Sequence, residues 1–108
     1  DKVFSKTSHL PHVIAFVLMD FLEKELGNKI FDYSGGSLES YTRIASSDPA
    51  MWKDVIISNK DEVSNAINGF KSLLEEFSYL MEKGDEKSIL EYLKGIKGSR
   101  DDLIKEDT

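Results

Sequence analysis

The 108-residue chain contains no cysteine. That excludes disulfide staples, thiolate nucleophiles and cysteine metal sites, and it permits a reducing compartment. A long hydrophobic run is missing too. The longest, Val13–Met19, ends at Asp20 and falls far short of the roughly 20 apolar residues that cross a bilayer. No secretory signal is visible, so a cytoplasmic protein without membrane partners is expected. Positive charge is in deficit: 14 Lys and Arg against 20 Asp and Glu leave a net charge of −6. That balance argues against nucleic acid or an anionic membrane as partner. Proline occurs only twice, each time where a helix could begin.

Catalytic signatures are equally scarce. There is no P-loop, nucleophile elbow or zinc-protease motif, and Gly35-Gly36-Ser37 is not the G-x-G-x-x-G unit that sits between a strand and a helix in dinucleotide sites. No window alternates with period two for long enough to make a strand, and no internal repeat is evident.

What is present is helical periodicity. Ser8 is placed as an N-cap, with Pro11 in the first turn, where a missing N–H costs nothing. This first helix is expected to run to about Glu25 and stop at Gly27. Between Val13 and Leu22 only Asp20 is charged, and a helix apolar on nearly all sides is a buried one. A domain of this size can hardly wrap it, so it is expected to pack inside an oligomer. After a Gly35-Gly36-Ser37 loop, Leu38 to about Ala45 reads as a short helix. Asp48-Pro49 is a cap with proline at the first helical position. Asn59 and Glu62 resemble a capping box, and Val63, Ala66, Ile67, Phe70, Leu73, Leu74, Phe77, Leu80 and Met81 follow helical spacing. Gly69 weakens that helix and Gly84 ends it; Asp85 caps the next. The expected fold is all-α, with five to six helices over residues 1–98, a buried apolar first helix and an intertwined homodimer. Residues 99–108 are expected to be a polar tail, helical only in part.

Few residues could carry chemistry. His9 and His12, the only histidines, fall in the expected first turn beside Ser8. One reading gives them backbone capping and partial burial. A second gives them anion binding at a helix N-terminus. A metal site is a third, but His-x-x-His has no evident further ligand here, and no metal is expected. Arg43 could grip a carboxylate as a fork, worth roughly 1.5–3 kcal/mol, or pair with Glu39 four residues back for a few tenths of a kcal/mol. Trp52, the only tryptophan, is either core packing or an aromatic wall for a ring-shaped ligand.

The stretches "TSHLPHVIAFVL" and "YSGGSLESYTRIASSDPAMWKDVIISNK" together resemble the C-terminal domain of bacterial prephenate dehydrogenases. "SHLPH" and "TRIASSDPAMW" are the specific segments, and the similarity runs from about Lys2 to Leu80. The resemblance implies an oxidoreductase of tyrosine biosynthesis that decarboxylates prephenate oxidatively to 4-hydroxyphenylpyruvate, with NAD or NADP as hydride acceptor. It implies that the cofactor and the catalytic histidine belong to an N-terminal Rossmann domain absent from this chain. This fragment would bind no cofactor, contain no catalytic residue and be inactive alone.

Carried over by position, His12 and Arg43 would bind substrate carboxylate, Ser8 and His9 would line the same pocket, Gly35 and Gly36 would shape its rim, and Trp52 would approach the ring. Prephenate, 4-hydroxyphenylpyruvate or tyrosine would be the ligand. Two departures stand out: Ser37 where the family often has a third glycine, and Glu39-Ser40 where it often has a basic-acidic pair. The second leaves room for arogenate, which carries an amino group where prephenate has a ketone. A stand-alone tyrosine or aromatic-acid binding module is the reading from another class.

Overall fold

The computed structural model describes residues 1–32 and 36–106. Tyr33, Ser34 and Gly35 lie outside the described residues, as do Asp107 and Thr108, so the expected rim position of Gly35 has no structural counterpart here. All regular elements among the described residues are helical, as the periodicity predicts. They are a short turn α1 (Lys2–Phe4), a π-helical turn (Ser5–His9), α2 (Leu10–Leu26), a 3₁₀ segment (Gly27–Asp32), α3 (Gly36–Thr42), a 3₁₀ turn (Arg43–Ser46), α4 (Pro49–Ser58), α5 (Lys60–Lys83) and α6 (Glu86–Glu106). None is long and apolar enough to cross a membrane. The chain divides into two units, Asp1–Gly69 and Phe70–Thr108, and the division falls inside α5 at the glycine marked above as its weak point.

In the first unit, helical winding begins earlier than expected. Asp1, not Ser8, is the cap: its carboxylate accepts the N–H groups of Val3 at 2.7 Å and Phe4 at 3.3 Å. Ser8 lies within the π-turn. Pro11 is therefore not in the opening turn of the whole helical run but at its first change of winding. A proline ring clashes with the carbonyl four residues back and has no N–H to give it, and a wider turn relieves that conflict. The N–H of Leu10 reaches five residues back to the Ser5 carbonyl. Ser5 is fully buried and its hydroxyl donates to the Lys2 carbonyl at 2.9 Å, while that of Thr7 donates to the Val3 carbonyl at 3.0 Å.

The later punctuation follows the sequence closely. Gly27 ends α2 with φ 72°, a conformation open to glycine and costly elsewhere. Asp48 caps α4 through the Ala50 N–H at 3.1 Å, with Pro49 at the first position. Asn59 differs from expectation. Its amide donates to the Val55 carbonyl at 2.7 Å, so the side chain closes α4 behind it rather than opening α5 ahead. Gly36 and Ser37, expected in a loop, open α3. The core of this unit is small: among the described residues Ala15, Ile30, Trp52, Val63 and Ala66 are its buried apolar side chains. Along α2, Ala15 is buried while Val17 is 59% and Phe21 56% exposed.

The second unit holds the end of α5 and all of α6. Gly84, at φ 68°, makes the break, and Asp85 caps α6. Its carboxylate accepts the Ser88 hydroxyl at 2.8 Å and the Ser88 N–H at 3.2 Å. Phe77 meets Tyr92 with ring centroids 5.7 Å apart. The helix passes residue 98 without a break and continues to Glu106, helped by the i,i+4 ion pair of Lys97 and Asp101. The tail is thus more helical than its polar composition suggests. No side chain from Phe70 to Ile104 is buried.

The Ser88 hydroxyl, and after it the Ser88 N–H, hold the Asp85 carboxyl below its ordinary value. A carboxylate with a lowered folded-state pKa stabilises above its unfolded value and loses that contribution as pH falls through the folded one. Amide protection in the first turn of α6, taken relative to the intrinsic exchange rate at each pH, is therefore expected to fall as the solution is acidified below the ordinary aspartate range. Asp85→Ala should show the lowered protection already at neutral pH and lose the acid step. An unchanged exchange profile in the variant would show that the cap contributes nothing.

Candidate functional site

Two clusters in the first unit take up most of the expected site residues. The first is aromatic. The His12 ring lies on Trp52 with centroids 3.8 Å apart and planes 19° off parallel, and His9 meets the same indole edge-on at 6.0 Å and 78°. Trp52 is 8% exposed, so core packing is part of its role. Beyond the stack it borders an apolar groove of about 340 Å³ with Phe16, Pro49 and Ile56. The two histidines at the start of the apolar segment thus seat the tryptophan of α4 on the N-terminal helical run.

The imidazole of His12 is fixed in a second way. Its Nδ1 lies 2.8 Å from the Ser8 carbonyl. A carbonyl oxygen only accepts, so Nδ1 carries the hydrogen and Nε2 is the nitrogen left to meet anything else. The helix N-terminus expected at Ser8 is not the source of this site, because those residues lie inside a continuing helical run. What replaces it is the Ser8 carbonyl, four residues back, which holds the ring. The Nδ1 of His9 is buried and has no hydrogen-bond partner among the described residues. Leaving such an atom without a partner is costly. Among the described residues no group of three His, Asp or Glu side chains is arranged to hold a metal ion.

The second cluster surrounds Arg43. Thr42, 5% exposed, gives its hydroxyl to the Leu38 carbonyl at 2.9 Å and pins the last turn of α3. The chain then tightens into the 3₁₀ turn, where the Ser47 hydroxyl donates to the Ile44 carbonyl at 2.6 Å. That turn packs against α2. Arg43 is exposed and opens on a cavity of about 620 Å³ whose walls include Met19, Phe31, Glu39, Ser40 and Ser46. Gly36 lies on the same wall. The ion pairs of the described residues are Lys24–Asp20, Lys53–Asp54 and Lys97–Asp101. Glu39 and Arg43 are not among them, so the surface pair considered for Arg43 is not formed.

Arg43 and Gly36 thus share a cavity, whereas His9, His12 and Trp52 share a stack. One helix joins them. His12, Phe16 and Met19 fall at i, i+4 and i+7 on a single stripe of α2. Met19 is therefore about 10 Å along the axis from His12 at the usual rise. Phe16 and Met19 were hidden in the sequence by the uniformly apolar run around them. Counting from His12 in helical steps would have picked them out.

The family model described as "Prephenate dehydrogenase, dimerization domain" matches residues 1–95. The chain belongs to this dimerization-domain family. A curated relative, the cyclohexadienyl dehydrogenase of Zymomonas mobilis, is 33% identical over 93% of the chain, and the prephenate dehydrogenase of Bacillus subtilis is 31% identical over 95%. A solved prephenate dehydrogenase from A. aeolicus, in complex with hydroxyphenyl propionate and NAD+, superposes with a TM-score of 0.87 at 41% identity and covers 95% of this chain. The dimerization domain spans 35% and 28% of the two curated relatives and 37% of the solved chain.

The held tautomer yields a direct test. Heteronuclear NMR of the imidazole nitrogens in the neutral form should show the proton of His12 on Nδ1. Finding it on Nε2 would remove the Ser8 carbonyl from the account of this ring.

Proposed function

We propose that this dimerization domain serves a prephenate dehydrogenase, contributing both the dimer interface and the groups that hold the substrate's carboxylate. The enzyme would oxidise and decarboxylate prephenate to 4-hydroxyphenylpyruvate in the cytoplasm. The described residues do not fit a dinucleotide, since they contain no strand and no strand–glycine loop–helix unit. NAD or NADP would accordingly be held by an N-terminal Rossmann domain, together with the catalytic histidine. Ser8, His9, His12, Gly35, Gly36, Arg43 and Trp52 would form the substrate side of the site.

The observation that carries this reading is Arg43. A guanidinium on the wall of an open cavity, outside every ion pair of the described residues, is a fork for a carboxylate. His12 adds a ring with one nitrogen committed and one on offer. Arg43→Ala in the full-length enzyme is expected to raise KM for prephenate about tenfold or more, the loss of one charged hydrogen-bonded contact. The KM for the nicotinamide cofactor should not change. A prephenate KM equal to that of the wild type would remove Arg43 from the site.

Support for the dimer comes from surfaces that a lone chain leaves wet. In the first unit Val3, Val17, Phe21 and Ile57 are more than half exposed; in the second, Leu73, Leu74, Leu93 and Ile96 are at least half exposed. Burial of apolar area at roughly 25 cal/mol per Å² is the main force available to a domain of this size. Light scattering of the 108-residue chain at micromolar concentration is expected to give twice the monomer mass. A monomeric mass would contradict the interface.

A further inference from the structure

Arg43 stands in a segment that two hydroxyl groups enclose. The Thr42 hydroxyl, just before it, donates to the Leu38 carbonyl at 2.9 Å and lies 3.4 Å from the Glu39 carbonyl. The Ser47 hydroxyl, beyond the turn, donates to the Ile44 carbonyl at 2.6 Å, and the Ser47 N–H reaches the same oxygen at 3.1 Å. Between them the 3₁₀ turn Arg43–Ser46 packs on α2. Thr42 is where the winding changes. Its φ of −91° and ψ of −1° lie at the sparsely populated edge of the helical range, and the ψ of Thr42 sets the direction in which Arg43 leaves the backbone. A hydroxyl that bonds back to a carbonyl one turn earlier competes with the regular helix and bends it. Thr42 is buried, so little water reaches that bond.

The guanidinium itself is less firmly held. Arg43 is exposed and takes part in none of the ion pairs of the described residues. A long side chain held at its root keeps most of its rotamer freedom until a ligand takes it up, so the backbone beneath it decides where the fork can reach. Small displacements of a binding group are enough to weaken a contact. We propose that Thr42 and Ser47 are positioning residues, whose hydroxyls lock the 3₁₀ turn on α2 and so aim Arg43 at the substrate carboxylate. Thr42 also borders the cavity, but its hydroxyl hydrogen is spent on Leu38, and its action on the substrate runs through Arg43. The proposal rests on the assignment of Arg43 as a carboxylate fork and names the groups that hold that fork in place.

Steady-state kinetics of the full-length enzyme carries the test. Thr42→Val keeps the branched shape and removes the hydroxyl. It should raise KM for prephenate roughly fivefold, the scale of one lost hydrogen bond, while kcat and the KM for the nicotinamide cofactor stay near the wild-type values. Thr42→Ser, which keeps the hydroxyl, should restore the wild-type KM. In an Arg43→Ala background Thr42→Val should add nothing, because a residue that acts through the guanidinium has nothing left to aim. Ser47→Ala removes the second hydroxyl from a half-buried position and should give the same pattern, so a Thr42→Val protein that fails to fold does not end the test. A prephenate KM unchanged in these variants, whatever happens to their melting temperature or kcat, would overturn the positioning role. So would an equal rise in KM with and without Arg43, or a Thr42→Ser enzyme as impaired as Thr42→Val. A wild-type KM in Arg43→Ala alone would instead overturn the fork beneath the proposal.

Discussion

The first unit depends on the seating of one indole. Among the described residues Trp52 is the one large aromatic side chain that is buried, and it is held from two directions by the imidazoles of His9 and His12. Remove that contact and α4 loses its aromatic anchor on α2. The contact also explains an economy of composition. With one tryptophan and two histidines in the chain, a single stack uses all three, and the residues that could touch a ligand are also structural supports. A substitution at any of them disturbs the packing of α4 on the N-terminal helical run.

Around that anchor the core is thin. Small side chains such as Ala15 and Ala66 are buried, while leucines, phenylalanines and isoleucines of the same helices stay largely exposed. A folded monomer rarely leaves so much apolar surface in water. The imbalance is the physical content of membership in a dimerization-domain family: helix faces written for a neighbour rather than for the chain's own interior. Acidic and basic residues between those faces keep the remaining surface soluble.

Much of this was legible in the sequence because capping chemistry is local. Asp48-Pro49, Gly27, Gly84 and Asp85 act within a few residues, and each does in the structure what its residue type dictates. Ser8 and Asn59 were misread for the same reason. Each has the residue type of an N-cap, but a preceding turn of helix decides whether its backbone is free to act as one. For Ser8 that turn is supplied by Asp1 and by the accommodation of Pro11; for Asn59 the end of α4 competes for the same amide. Of the site, residue types and spacing pointed to Arg43, His12 and Trp52. The partition into a stack and a cavity was not legible, since it depends on where α3 and α4 meet α2. Nor was the place of Glu39 on the cavity wall, which sequence spacing leaves as one of two possible partners for Arg43.

The π-turn at Ser5–His9 sets a rotational offset in what otherwise reads as one rod. Each extra residue in a winding turns everything upstream by about 100° relative to everything downstream. Val3 and Phe4, both exposed, therefore point along a different meridian from the one an unbroken helix through α2 would give them. The offset works like a keyway cut into a shaft. A one-residue deletion between Ser5 and Pro11 would swing Val3 and Phe4 back by the same angle while sparing the composition of both faces.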